Sequence, residues 1–191
     1  MKKLIMLVVI AVSLALIIAA AGILYDQFGS DYIPQQMATH PQETEQIQSV
    51  KAPDFTAYDL DGNEVHLHDY LGKPIVLNFW TSWCGPCQME MPEFQNKYLE
   101  LGERVQFLMV NMTDGMRETL QIASAFVEEN GYTFPVFFDT ASDAANTYGV
   151  YSLPTTYFID GEGNAVAQAS GAIDATILQR GIDMILPVTE N

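Results

Sequence analysis

Basic residues are scarce. The 191-residue chain carries 8 lysines and arginines against 24 aspartates and glutamates, a formal net charge of -16. Such a surface repels nucleic-acid phosphates and anionic lipid headgroups, which excludes a sequence-independent electrostatic grip on either. The acidity names no partner, because a solvated, self-repelling surface accounts for it. Cysteine is scarcer still. Two in the whole chain are too few for a disulfide framework or a four-cysteine zinc site, and neither lies near the N-terminus, which excludes a lipid-modified N-terminal cysteine. Of the three histidines, His40 falls in a polar stretch, while His66 and His68 share one side of a hairpin strand. No chelating cysteine pair stands beside them, so no metal is expected. No internal repeat at a solenoid period is present. The use of the two cysteines must therefore be read from their spacing.

Met1-Lys2-Lys3 precedes an almost unbroken apolar run from Leu4 to Leu24, interrupted by Ser13 and Gly22. A helix of this length rises about 30 Å, the thickness of a bilayer's hydrocarbon core. The two lysines ahead of it set a positive-inside bias that keeps the N-terminus in the cytoplasm and sends the rest across. Ala19, Ala20 and Ala21 resemble a cleavage site, so a cleaved secretory signal is the competing reading. The run, however, exceeds the roughly 7 to 15 residues of a signal core and continues past that site through Tyr25. Residues 1–25 are expected to be an uncleaved signal-anchor helix, and either reading places the domain outside the cytoplasm. Residues 26–50 turn polar and Gln-rich, with Pro34 and Pro41 and no sustained period. They cannot bury enough apolar area to offset their ordering entropy and read as a flexible linker. Residues 51–191 form the single globular domain that the length predicts.

Within the domain, Leu60-Asp61-Gly62-Asn63-Glu64 has hairpin turn chemistry between Phe55, Tyr58 and Val65, Leu67. Ile75–Trp80 is a short continuous apolar run suited to a strand covered on both faces. From Cys84 to Leu101, Met91, Phe94, Tyr98 and Leu101 recur at helical steps, and Pro92 predicts a kink. Val105–Asn111, Pro135–Phe138, Thr155–Ile159 and Ala165–Ala169 read as strands. Arg117–Asn130, Ala141–Tyr148 and Asp174–Ile185 read as helices. Strands alternating with helices predict an α/β domain with a mixed central sheet and helices on both faces.

Trp83-Cys84-Gly85-Pro86-Cys87 sits where a buried strand gives way to a helix, the context that makes CxxC a redox motif. Unpaired backbone N–H groups and the positive end of the helix dipole stabilise an anion there, so the first thiol ionises below its free value of about 8.5. Cys84 is expected to be exposed and nucleophilic. Cys87, one turn into the helix, is expected to be more buried and to resolve the mixed disulfide.

The segment NFWTSWCGPCQMEMPEF, with LPTT further on, resembles the thioredoxin superfamily and, more narrowly, its membrane-anchored TlpA/ResA-like branch. The resemblance runs from about Ala52 to Ile185 and implies a thioredoxin-like fold with an N-terminal hairpin and a helical insertion near Asp114–Phe134. It also implies an extracytoplasmic thiol–disulfide oxidoreductase, often serving cytochrome c maturation. Pro154 matches the family's cis-proline, whose loop meets the incoming peptide. Substrate contacts are thus implied for Leu153 and Pro154, together with Trp83, Gly85 and Pro86. Glu90 matches a family carboxylate buried near the disulfide, where burial would raise its pKa and suit it to take the proton of the resolving thiol. Asn78 departs from cytoplasmic thioredoxins, which carry an aspartate six residues before the first cysteine; an amide cannot be the base, which leaves Glu90. Trp80 is expected in the core.

The catalytic set is then Cys84, Cys87 and Glu90. No soluble cofactor is expected, because the cysteines hold the two electrons. Expected partners are protein disulfide substrates and a transmembrane thiol reductant as electron donor, with the protein a membrane-anchored monomer. The Gly85-Pro86 dipeptide resembles that of reductive members, so reduction is favoured over a disulfide-forming oxidase. A thiol peroxidase and a holdase or assembly factor with an incidental CxxC are the other readings.

Overall fold

A computed structural model of the chain describes residues 50–187. The expected anchor at 1–25, and the linker at 26–50 apart from Val50, lie outside the described residues. Among the described residues, no helix is long and apolar enough to cross a membrane.

Eight strands form one mixed sheet: β1 (Val50–Lys51), β2 (Thr56–Tyr58), β3 (Glu64–His66), β4 (Ile75–Trp80), β5 (Gln106–Asn111), β6 (Val136–Phe138), β7 (Thr155–Ile159) and β8 (Asn164–Ser170). Their order is β1-β8-β7-β4-β5-β6-β2-β3. β4 runs parallel to β5 and antiparallel to β7, and β5 runs parallel to β6. The helices are α1 (Gly85–Leu101), α2 (Leu120–Glu129), α3 (Asp143–Thr147) and α4 (Ala175–Ile185).

All six residues of β4 are buried because successive side chains leave a strand on opposite faces. Val76 and Trp80 join one core cluster, with Met91 and Phe94 of α1 and Leu178 and Ile182 of α4. Ile75, Leu77 and Phe79 join the other, with Ala144 and Ala145 of α3. β5 divides the same way, Phe107 and Met109 against Leu108 and Val110. Full burial of a side chain of this size contributes about 1.5–3 kcal/mol, so both faces hold β4 in the middle of the sheet. The alternation puts Asn78 on the Val76–Trp80 face, toward α1.

α1 buries Cys87, Glu90, Met91, Phe94 and Leu101, a stripe at steps of three and four. The helix runs on through Pro92. Tyr98 is half-buried, its ring edge-on to Phe107. In α4, Gly181 lies so close to Phe158 that a Cβ there would overlap the ring.

Several boundaries differ from the sequence reading. Val50–Lys51 pairs with Asn164–Ala165 as an edge strand instead of ending the linker; two exposed residues carry no periodicity to reveal it. The strand expected through Leu67 stops at His66, and Leu67–Tyr70 forms a 3-10 turn in which Asp69 accepts from the His66 N–H (2.9 Å). The helix expected from Arg117 begins at Leu120, where Thr119 caps it by accepting from the Ile122 N–H. Arg117 and Glu118 therefore belong to a turn.

Candidate active site

β4 ends at Trp80, and four residues later Cys84 occupies the N-cap of α1 in extended conformation. Its Sγ accepts from the Cys87 N–H (3.2 Å), and the two cysteines are joined by a disulfide. Pro86 in the first turn has no N–H to leave unpaired. The remaining first-turn N–H groups and the helix dipole favour negative charge on the Cys84 sulfur once the bond is reduced.

Cys84 is 5% exposed and Cys87 fully buried. Both are buried, so Cys84 is not exposed as the sequence led us to expect. Its sulfur is turned inward to Cys87 and its residue belongs to the core cluster beneath, so a partner meets it only through a groove of about 600 Å³. Trp83, Gly85, Pro86 and Leu153 line that groove with Cys84. Pro154 is buried and does not line it. The Leu153–Pro154 bond is cis, and the Pro154 carbonyl already accepts from the Gly171 N–H (2.8 Å). Of the pair, only Leu153 borders the groove.

Glu90, one turn beyond Cys87, is 2% exposed. Its Oε1 accepts from Asn78 Nδ2 (2.8 Å) and its Oε2 from the Ile173 N–H (2.9 Å). Burial outweighs both hydrogen bonds and pushes its carboxyl from the ordinary 4.5 up to about 7. Asn78 is not the base but holds it, while its Nδ2 also reaches Thr156 Oγ1 (3.0 Å) and its Oδ1 has no partner. Glu90 also borders a cleft between α1 and the Ala172–Thr176 segment.

Two functional neighbours escaped the sequence reading. Glu118 is fully buried and accepts from the Ser82 N–H (2.7 Å), Ser82 Oγ (2.6 Å) and Asn111 Nδ2 (2.6 Å). The Arg117 guanidinium lies 3.8 Å from the centre of the half-exposed Trp83 ring. Consecutive residues of one turn thus clamp consecutive residues ahead of Cys84. Trp80 is wholly buried, in the core as expected. Among the described residues, no group of three or more His, Cys, Asp or Glu side chains is placed to hold a metal ion, and His68 faces Asp54 (3.4 Å).

Residues 49–168 match the AhpC/TSA family. The chain belongs to that family. Within it, the chain is 36% identical over 137 residues to the thiol-disulfide oxidoreductase ResA of Geobacillus thermodenitrificans, covering 71% of this chain and 76% of the relative. It is 33% identical to ResA of Bacillus subtilis, over 71% of this chain and 74% of the relative. Among solved structures, it is similar to a putative thiol:disulfide interchange protein DsbE from Chlorobium tepidum, at 32% identity and a TM-score of 0.62 over 73% of this chain and 97% of that one. The family membership and these likenesses agree with the thioredoxin-like sheet, with the CxxC at the N-terminus of α1 and with the TlpA/ResA-like resemblance.

Proposed function

We propose that the protein is a membrane-tethered thiol–disulfide oxidoreductase facing an extracytoplasmic space, which reduces disulfides in protein substrates. The observation that carries this reading is the Cys84–Cys87 pair at the N-cap of α1, with the buried Glu90 carboxyl one turn behind the inner cysteine. In the dithiol form, the Cys84 thiolate attacks a substrate disulfide, forming a mixed disulfide and releasing one substrate thiolate. Cys87 then loses its proton to Glu90 and attacks Cys84 Sγ, releasing the second thiolate and closing the Cys84–Cys87 bond. The substrate gains two electrons and, with solvent, two protons; the domain is left oxidised. A membrane-embedded thiol reductant supplies the electrons for the next cycle, and the maturation of c-type cytochromes is the process this reading favours. The protein acts as a monomer.

The test uses the full chain, reduced and freed of reductant, with insulin as the protein disulfide. Stoichiometric reduction of insulin is expected, lost in Cys84→Ser. Faster oxidation of a dithiol peptide by the disulfide form would make the protein an oxidase, and consumption of hydrogen peroxide a thiol peroxidase. For the anchor, the chain is expected in the membrane fraction after carbonate washing, with its domain open to external protease. A soluble chain beginning near Gly22 would mean that the N-terminal segment is a cleaved signal.

A further inference from the structure

The groove over Cys84 contains one cation, Arg117, in a chain where acidic residues outnumber basic ones 24 to 8. We propose that Arg117 is a carboxylate-binding residue of this groove, selecting protein segments with an aspartate or glutamate side chain beside the cysteine that Cys84 attacks. The inference rests on the dithiol-exchange reading above and names its substrate class.

The guanidinium carbon lies over Trp83, 3.8 Å from the ring centre, a cation–π contact that does not itself use up the N–H donors of the side chain. Among the described residues, Arg117 enters no ion pair, the pairs being His68–Asp54 and Lys97–Glu100. The one carboxylate lining the groove, Asp114, accepts at Oδ1 from the N–H groups of Met116, Arg117 and Glu118 (2.8, 2.8 and 2.9 Å); these bonds, that from Glu118 foremost, and to a smaller extent the Arg117 charge hold its carboxyl below the ordinary range, so it offsets part of the guanidinium charge without forming an ion pair with it. Those three bonds and the Glu118–Ser82 pair fix both ends of the turn against the segment leading to Cys84. The arginine is therefore held in place before a ligand arrives, which lowers the ordering cost of binding. Trp83, 42% exposed, and Tyr151, 99% exposed, supply apolar walls on the same groove. An acidic substrate residue is repelled by most of the domain surface and attracted at this point, so its charge sets which way a segment lies across Cys84. The planar guanidinium matches a carboxylate bidentately.

The experiment compares disulfide-bridged peptides, amidated at the C-terminus, that differ only in carrying Glu, Gln or Lys next to the attacked cysteine. Reduction by the full chain is followed as kcat/KM. The Glu peptide is expected to be favoured over the Gln peptide by about five- to tenfold at low salt, with the Lys peptide slowest, and the preference should fade as salt is raised. In Arg117→Gln the Glu/Gln ratio should drop to about one, and Arg117→Lys should retain part of it. An unchanged ratio in Arg117→Gln, or equal loss on every peptide, overturns the proposal and leaves Arg117 a support for Trp83. A fourth peptide, with neutral side chains and a free C-terminal carboxylate, overturns the side-chain assignment if it alone depends on Arg117. If the wild-type chain reduces none of the peptides, the dithiol-exchange reading itself fails.

Discussion

Replacing Glu90 with glutamine separates the charge of this residue from its shape. In the folded protein its carboxyl ionises near pH 7, against an ordinary 4.5. Between those values the folded state binds more protons than the unfolded state, so stability falls as pH rises through the window. A displacement of about 2.5 units corresponds to about 3 kcal/mol, fully present as stability below pH 4.5 and lost above about pH 7. Glu90→Gln removes this slope. The substitution has its own cost, because both carboxylate oxygens accept hydrogen bonds, from Asn78 and from Ile173, and an amide offers one acceptor. Asn78 can relieve that conflict by turning its unpartnered Oδ1 toward the new NH2. The diagnostic quantity is therefore the slope and not the offset. Urea unfolding of the oxidised protein at pH 4, 5.5, 7 and 8 should show the wild type losing about 3 kcal/mol relative to Glu90→Gln across the series. Disulfide exchange by Glu90→Gln should be slower by at least about tenfold near neutrality, and without the rise through pH 7 that an ionising base imposes. Parallel stability curves together with wild-type exchange rates from pH 5 to 9 would make Glu90 a structural hydrogen-bond acceptor with no part in proton transfer.

Two other substitutions test the frame around the site. Glu118→Ala strands three donors, on Ser82 and Asn111, and should cost about 3 kcal/mol or more in urea unfolding, partly recovered by Glu118→Gln; a change below about 1 kcal/mol would mean the clamp adds little. Gly181→Ala places a methyl in the Phe158 ring and should destabilise by about 1–3 kcal/mol in thermal unfolding; an unchanged Tm would mean that α4 shifts freely on the sheet.

The site was legible where local pattern and chemistry coincide. β4 was readable from Ile75 to Trp80 because a strand covered on both faces carries an unbroken apolar run, and the cysteine spacing at its end identified the helix start. The burial of Glu90 was legible only through the resemblance, which matches it to a family carboxylate near the disulfide. What stayed hidden depends on distant neighbours. Ser82 and Glu118 are 36 residues apart in sequence, and no local period links them. Arg117 and Glu118 read as the start of the helix that follows, whereas the Asp114 carboxylate takes the N–H groups of this stretch and holds it as a turn. Asn78 read as the loss of a base; its part in holding Glu90 is visible only when β4 and α1 are packed together. The inward turn of Cys84 likewise follows from the closed disulfide, which the spacing alone does not fix.

If Cys84 attacks and Cys87 resolves, the two thiols differ in what they trap. Expressed in its native cell, the full chain carrying Cys87→Ser should accumulate covalent, dithiothreitol-sensitive adducts with substrate proteins through Cys84, because the resolving thiol is gone. Cys84→Ser should accumulate few or none. Equal trapping by the two variants, or adducts that form through Cys87 alone, would contradict the assignment.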